Sequence, residues 1–265
     1  AVKASPDDPA LAVARCRFIG SFTDEEYGDW IESAPDEYET CQEALRTSFS
    51  SAPDVLLFDL QSMWGTEAAE EGERLLGAAG SWPLPLRKAL LIKLAEAHSY
   101  GDDKTRAGKF ALMAAELGEH SLVPEAIGHL VAKDRFAEAI ALLRSTPAAT
   151  GAWEAKRRVD AALLIPERKW ARWELARYAT SDFTVSADSA ARAHLHAGDP
   201  AAARALLKKA EVTLSDKVRF DVLVAAGDLK AASALVDLAD LDAFTEQMRR
   251  FAIVLVGAPM TLTSW

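Results

Sequence analysis

The sequence predicts an all-α protein, and three observations predict it. Alanine makes up 52 of the 265 residues; it is the strongest helix former, and its small side chain lets helices approach closely. Runs rich in Val, Ile and Thr, the mark of strands, are almost absent. Finally, Ala107, Ala139, Ala171, Ala203 and Ala232 follow one another at spacings of 32, 32, 32 and 29 residues, each inside a similar apolar pattern. Self-similarity near this period indicates helical hairpins that bury their apolar faces against neighbouring hairpins.

Taken in chain order, residues 1–80 read as an irregular, acidic helical region. "TDEE" at 23–26 is a capping box, with Thr23 as N-cap and Glu26 at N3. "SAPD" occurs at 33–36 and again at 51–54, each time before an apolar-periodic run, which predicts helices from Pro35 and Pro53. A further pair over 53–64 and 66–79 is joined near Gly65. Cys16 and Cys41 are the two cysteines of the chain and a candidate disulfide, which would staple the first helix to the third. "GSWPLP" at 80–85 interrupts the pattern and marks the boundary with the repeats.

Residues 81–240 carry the repeats. "AGDPAAARALLKKA" and "AGDLKAASALVDLA" share one frame, with Gly198 and Asp199 matching Gly227 and Asp228. "AKDRFAEAIALLRST" repeats it around Ala139, "PERKWARWELARY" around Ala171 and "GDDKTRAGKFALMA" around Ala107. In Gly198-Asp199-Pro200, glycine suits the residue just past a helix, aspartate the next N-cap and proline the first helical position. No G-x-x-x-x-G-K-[ST] or G-x-G-x-x-G loop occurs, so this turn is a joint between helices and not a phosphate cradle. Residues 241–265 complete the chain with a predicted capping helix, "DLDAFTEQMRRFAIVLVG" beginning at 240, and the tail "APMTLTSW".

The Gly-Asp turns and the recurring small residues of the second helices resemble the tetratricopeptide repeat, over roughly residues 84–240. The likeness is strongest around Ala139, Ala203 and Ala232; the family's Trp, Leu-Gly and Tyr positions in the first helices are not reproduced. The resemblance implies a right-handed superhelix of antiparallel helical hairpins whose first helices line a concave, peptide-binding face. Carried over from the key alanines, the face would comprise Glu96, Tyr100, Trp153, Lys156, Asp160, Asp188, Arg192, His196, Lys217 and Asp221. The family's carboxylate clamp uses Asn where this chain has Asp160 and Asp221, which argues against that ligand class.

Charge and motif content narrow the function. Residues 1–80 hold 5 basic and 17 acidic side chains, a net of −12, against a chain total of −10. Such a balance disfavours a nucleic-acid partner, because phosphate contacts need Lys and Arg. No apolar run reaches the length of a membrane span. In "HLH", His194 and His196 point to different sides of a helix and do not share a metal; no zinc-ligand spacing occurs, and no metal or cofactor is expected. Neither a G-x-S-x-G elbow nor a cysteine-nucleophile signature is present. The expectation is a non-enzymatic scaffold that binds a protein or peptide. Two alternatives differ in class: a glycan-acting enzyme using a carboxylate pair and tryptophans, and an immunity or assembly protein binding through its acidic N-terminal region. The cysteine pair favours a periplasmic or secreted location, with the cytoplasm as the alternative.

Overall fold

The computed structural model describes residues 8–20, 34–209 and 212–236. Among these residues there are 14 α-helices and no strand. The chain divides into two compact units between Ala126 and Ile127. The capping box at Thr23 and Glu26 and the helix expected in 241–265 lie outside the described residues.

The N-terminal unit holds α1 (Pro9–Gly20), α2 (Ala34–Phe49), α3 (Pro53–Ser62), α4 (Gly65–Leu76), α5 (Leu84–Tyr100) and α6 (Lys104–Glu116). Helix α2 begins one residue before the expected Pro35, within the usual uncertainty of a helix end. Helix α3 begins at Pro53, as expected: Ala52 is extended and proline takes the first helical position. The pair that follows is shorter than the sequence suggests, because Met63 and Trp64 are extended and end α3 at Ser62. Gly65, at φ +55°, then opens α4.

Helix α4 packs against α5 and buries the small residues Ala68, Ala69 and Gly72 together with Leu75. A Cβ placed on Gly72 would lie 2.7 Å from Leu94 Cδ2, so any other residue here would force the buried Leu94 side chain to shift. Helices α1, α2 and α3 close around Val13, Cys16, Leu45, Val55 and Phe58. Cys16 and Cys41 bridge α1 to α2 with their Cα atoms 5.6 Å apart, the ordinary spacing for a disulfide.

Helix α7 (Val123–Ala132) spans the division between the units. The C-terminal unit continues with α8 (Phe136–Ser145), α9 (Ala152–Ala162), α10 (Lys169–Ala176), α11 (Ala187–His196), α12 (Pro200–Leu207), α13 (Asp216–Ala225) and α14 (Leu229–Val236). From α9 onward the packing order is regular. Helix α9 packs on α10 and α11, α11 on α12 and α13, and α13 on α14; α10 and α12 each also touch the first helix that follows them. Two of the recurring alanines lie in apolar clusters there. Ala191 and Ala203 cluster with Leu214, Val218 and Val222, and Ala232 with Phe220, Leu223 and Leu235.

The alanine period corresponds to one repeated turn. Asp102, Asp134, Gly198 and Gly227 all have positive φ, at 60°, 57°, 75° and 75°, and each stands five residues before a key alanine. The next residue's N–H reaches back to the preceding helix in every case: Asp103 to His98, Arg135 to Leu130, Asp199 to His194 and Asp228 to Leu223, at 2.8–2.9 Å. This is the Schellman closure, which satisfies a carbonyl orphaned at the helix end. The same residue starts the following helix. Its carbonyl accepts from the key alanine's N–H, as at Ala107, Ala139, Ala203 and Ala232, with distances of 2.9, 3.1, 3.3 and 3.0 Å. Asp103, Asp199 and Asp228 also cap through their carboxylates, accepting from Arg106, Ala202 and Ala231.

The α9–α10 connection keeps the spacing and loses the turn. The residue five before Ala171 is Pro166, whose ring fixes φ near −65° and forbids the left-handed geometry. Here the connection is a longer one over residues 163–168, and Trp170 Nε1 donates to Glu167 at 3.0 Å. Ala171 is nonetheless fully buried, like Ala139, Ala203 and Ala232.

Candidate functional site

The expected binding residues divide between the two units. On α5, Glu96 is exposed and Tyr100 is 72% exposed. Tyr100 meets the exposed Trp64 edge to face, with ring centroids 5.8 Å apart, and Lys93 Nζ lies 4.9 Å from the Trp64 ring centroid. The remaining residues belong to α9, α11 and α13, the first helices of successive hairpins in the C-terminal unit.

Those three helices pack in sequence, α9 on α11 and α11 on α13. Trp153, at the start of α9, is 69% exposed, and Lys156 Nζ sits 5.7 Å from its ring centroid. The same ammonium donates to Asp160 Oδ2 at 2.9 Å, while Asp160 Oδ1 accepts from the buried Ser189 hydroxyl at 2.7 Å. Asp160 therefore ties α9 to α11. Asp188 makes the next tie, accepting from the backbone N–H of Ser215 at 2.9 Å just before α13. Sequence reasoning placed Asp160 and Asp188 in a ligand-contacting role, and the structure shows each already engaged in holding neighbouring helices.

Arg192 and Lys217 are exposed, and Asp221 is partly buried on the same run of helices. Burial pushes the Asp221 carboxyl above its ordinary value, and the positive charges of Lys217 and Arg192 hold it part of the way down. Both cations are thus within electrostatic reach of Asp221. His196 sits 3.2 Å by Nε2 from the Ile165 carbonyl of the α9–α10 connection. His194, two residues earlier, lines a cavity between α10, α11 and α12, so the two rings face different surroundings.

A buried ionic network behind this face was not anticipated. Arg158 is 1% exposed and Glu174 wholly buried. Arg158 donates to the Pro147 carbonyl and to Glu154. Glu174 accepts from the Tyr178 hydroxyl and, at 2.9 Å, from Arg177, whose other nitrogen donates to the Thr146 carbonyl at 2.8 Å. The network fastens the segment between α8 and α9 onto α9 and α10. Burial, reinforced by the bond to Glu174, raises the Tyr178 hydroxyl far above the usual phenol value, so it stays a donor. The i, i+3, i+4 spacing of Glu174, Arg177 and Tyr178 was the available signal, since it places all three on one side of a helix.

The tryptophans sort by burial. Trp82 and Trp170 are core, whereas Trp64 and Trp153 stand well into solvent and Trp173 is 37% exposed beside Arg177. Among the described residues no cluster of His, Cys, Asp and Glu is arranged to hold a metal ion, and no helix is long and apolar enough to cross a membrane. Comparison with protein-family models, with curated proteins and with solved structures finds no match.

Proposed function

We propose that this protein is a non-enzymatic scaffold that binds a protein or peptide along the face formed by α9, α11 and α13. The observation that carries the reading is Trp153: a large aromatic held 69% exposed, with Lys156 beside it, on a face that continues through Arg192 and Lys217. Tryptophan and arginine are the side chains that most often dominate binding energy at interfaces. The prior engagement of Asp160 and Asp188 supports a binding surface over an acid–base pair.

Within the C-terminal unit, the packing order of α9 to α14 and the repeated turn support a right-handed superhelix of antiparallel hairpins similar to the tetratricopeptide repeat. The disulfide between α1 and α2 supports a periplasmic or secreted location.

The test is affinity capture from the native cell extract with wild type and a Trp153→Ala, Lys156→Glu, Arg192→Glu variant, both checked for helicity by circular dichroism. Retention of one protein by wild type and its loss from the folded variant supports the face. Equal retention by both removes it and turns attention to Glu25, Glu26 and Asp29, whose reversal to Lys then tests the acidic N-terminal region.

A further inference from the structure

A cavity of about 830 Å³ opens between α10, the connection over residues 177–186, α11 and α12. Its existence follows from the side chains that line it. Ala176, Ala179, Ala187 and Ala190 supply little bulk, so the space between the helices is not filled. Tyr178 and Phe183, with ring centroids 5.8 Å apart, form an aromatic wall, and Leu206 and Val212 add aliphatic surface. This volume falls in the range of small-molecule sites, which are mostly apolar with a few placed polar groups.

The charge of the lining is one-sided. Arg172, His194 and Lys209 line the cavity, and among the described lining residues there is no Asp or Glu, in a chain whose net charge is −10. Arg172 is oriented by Asp199, which holds one guanidinium nitrogen at 3.1 Å from outside the lining. His194 Nδ1 is shielded from solvent and finds no hydrogen-bond partner among the described residues. A buried polar atom left without a partner carries a cost that a ligand can remove. Burial and the Arg172 charge lower the basicity of His194, against a smaller opposing pull from Asp199, so the imidazole favours its neutral form.

We propose that this cavity binds a small organic anion with an apolar body. Its acidic group faces Arg172, His194 and Lys209, and its body lies against Tyr178, Phe183 and Leu206. The site shares no residue with the proposed binding face on α9, α11 and α13, so the two stand or fall separately.

The probe pair is 8-anilinonaphthalene-1-sulfonate and its uncharged analogue N-phenyl-1-naphthylamine, each titrated by fluorescence into the full chain. The sulfonate is expected to bind saturably at one site, to lose that site in Ala190→Trp, and to weaken about tenfold in Lys209→Glu, where a charge-assisted contact is lost. The uncharged probe should be nearly indifferent to Lys209→Glu, and Trp153→Ala should affect neither. Should Ala190→Trp fail to fold, Thr184→Trp fills the cavity from an exposed lining position. Absence of saturable binding, wild-type affinity in the folded filling variant, or equal weakening of both probes by Lys209→Glu overturns the proposal. So does a sulfonate affinity unchanged by Lys209→Glu.

Discussion

Replacing Gly198 by Ala isolates the repeated turn that the alanine period encodes. Gly198 has φ +75°, and a Cβ built on it meets no atom within 4 Å. The substitution therefore introduces no clash, and its cost is the left-handed backbone alone, about 1–2 kcal/mol for an L-residue. Alanine also restricts the unfolded chain, which returns about 0.4–1 kcal/mol. The net expectation is a loss of about 1 kcal/mol, or roughly 2–4 °C in Tm for a chain of this size. Gly227→Ala should behave alike, since its φ is also +75° and its Cβ position is also open. Asp134 offers the reverse experiment. It already carries the strain at φ +57°, so Asp134→Gly should stabilise by about 0.5 kcal/mol. Gly80→Ala, open in space and without a positive φ, serves as the control and should stabilise by about 0.4–1 kcal/mol through the unfolded chain alone. Urea titrations followed by far-ultraviolet circular dichroism would measure all four. If Gly198→Ala is as stable as wild type while Asp134→Gly is destabilised, the turn is not held in the left-handed geometry and the reasoning fails.

Three further outcomes are expected. Glu174→Ala leaves Arg177 and the Tyr178 hydroxyl without their buried acceptor and should cost about 3–5 kcal/mol in urea titration; a loss under about 1 kcal/mol would show that the network is not fastening the α8–α9 segment. Replacing Cys16 and Cys41 by Ser opens a link across 25 residues and should cost about 3 kcal/mol on a chain-entropy view, whereas an unchanged urea midpoint would argue against a bridge in solution. Asp221 has a raised carboxyl pKa, so its contribution to stability is full below its ordinary value of 3.8 and is lost as pH rises through the higher folded value. Asp221→Asn should accordingly raise the urea midpoint at neutral pH and leave it unchanged below about pH 3.8; lower stability of the variant at neutral pH would contradict the burial argument.

The parts of this structure that were legible in the sequence are those fixed by a few adjacent residues. Gly198-Asp199-Pro200 specifies its geometry locally: the left-handed residue, the cap and the first helical position are consecutive, and all three take those roles. The burial of Ala139, Ala171, Ala203 and Ala232 was legible because it repeats. The departure at Pro166 could have been read from its fixed φ, since the aligned position demands a positive one.

What the sequence did not show depends on chain segments far apart. Nothing near Arg158 marks it as a buried partner of the Pro147 carbonyl, because an arginine in a basic run such as Lys156-Arg157-Arg158 normally faces solvent. Asp160 and Asp188 were read as surface charges for the same reason, while their true partners, Ser189 and the Ser215 backbone, lie on the next hairpin. The cavity was illegible on different grounds. It is space left by small side chains, closed by a connection whose path no periodicity predicts. Trp153 was picked by register alone, and its exposure is what gives that choice weight.

The most direct measurement of the central claim is calorimetric titration of the captured partner, or its binding peptide, into wild type and into Trp153→Ala. Trp153 has 69% of its surface free and no helix to hold, so its truncation should leave the fold intact. A buried aromatic anchor is worth about 2 kcal/mol or more, so the account predicts a Kd weakened about thirtyfold in the variant. A Kd unchanged by Trp153→Ala would contradict it and place the partner on another surface.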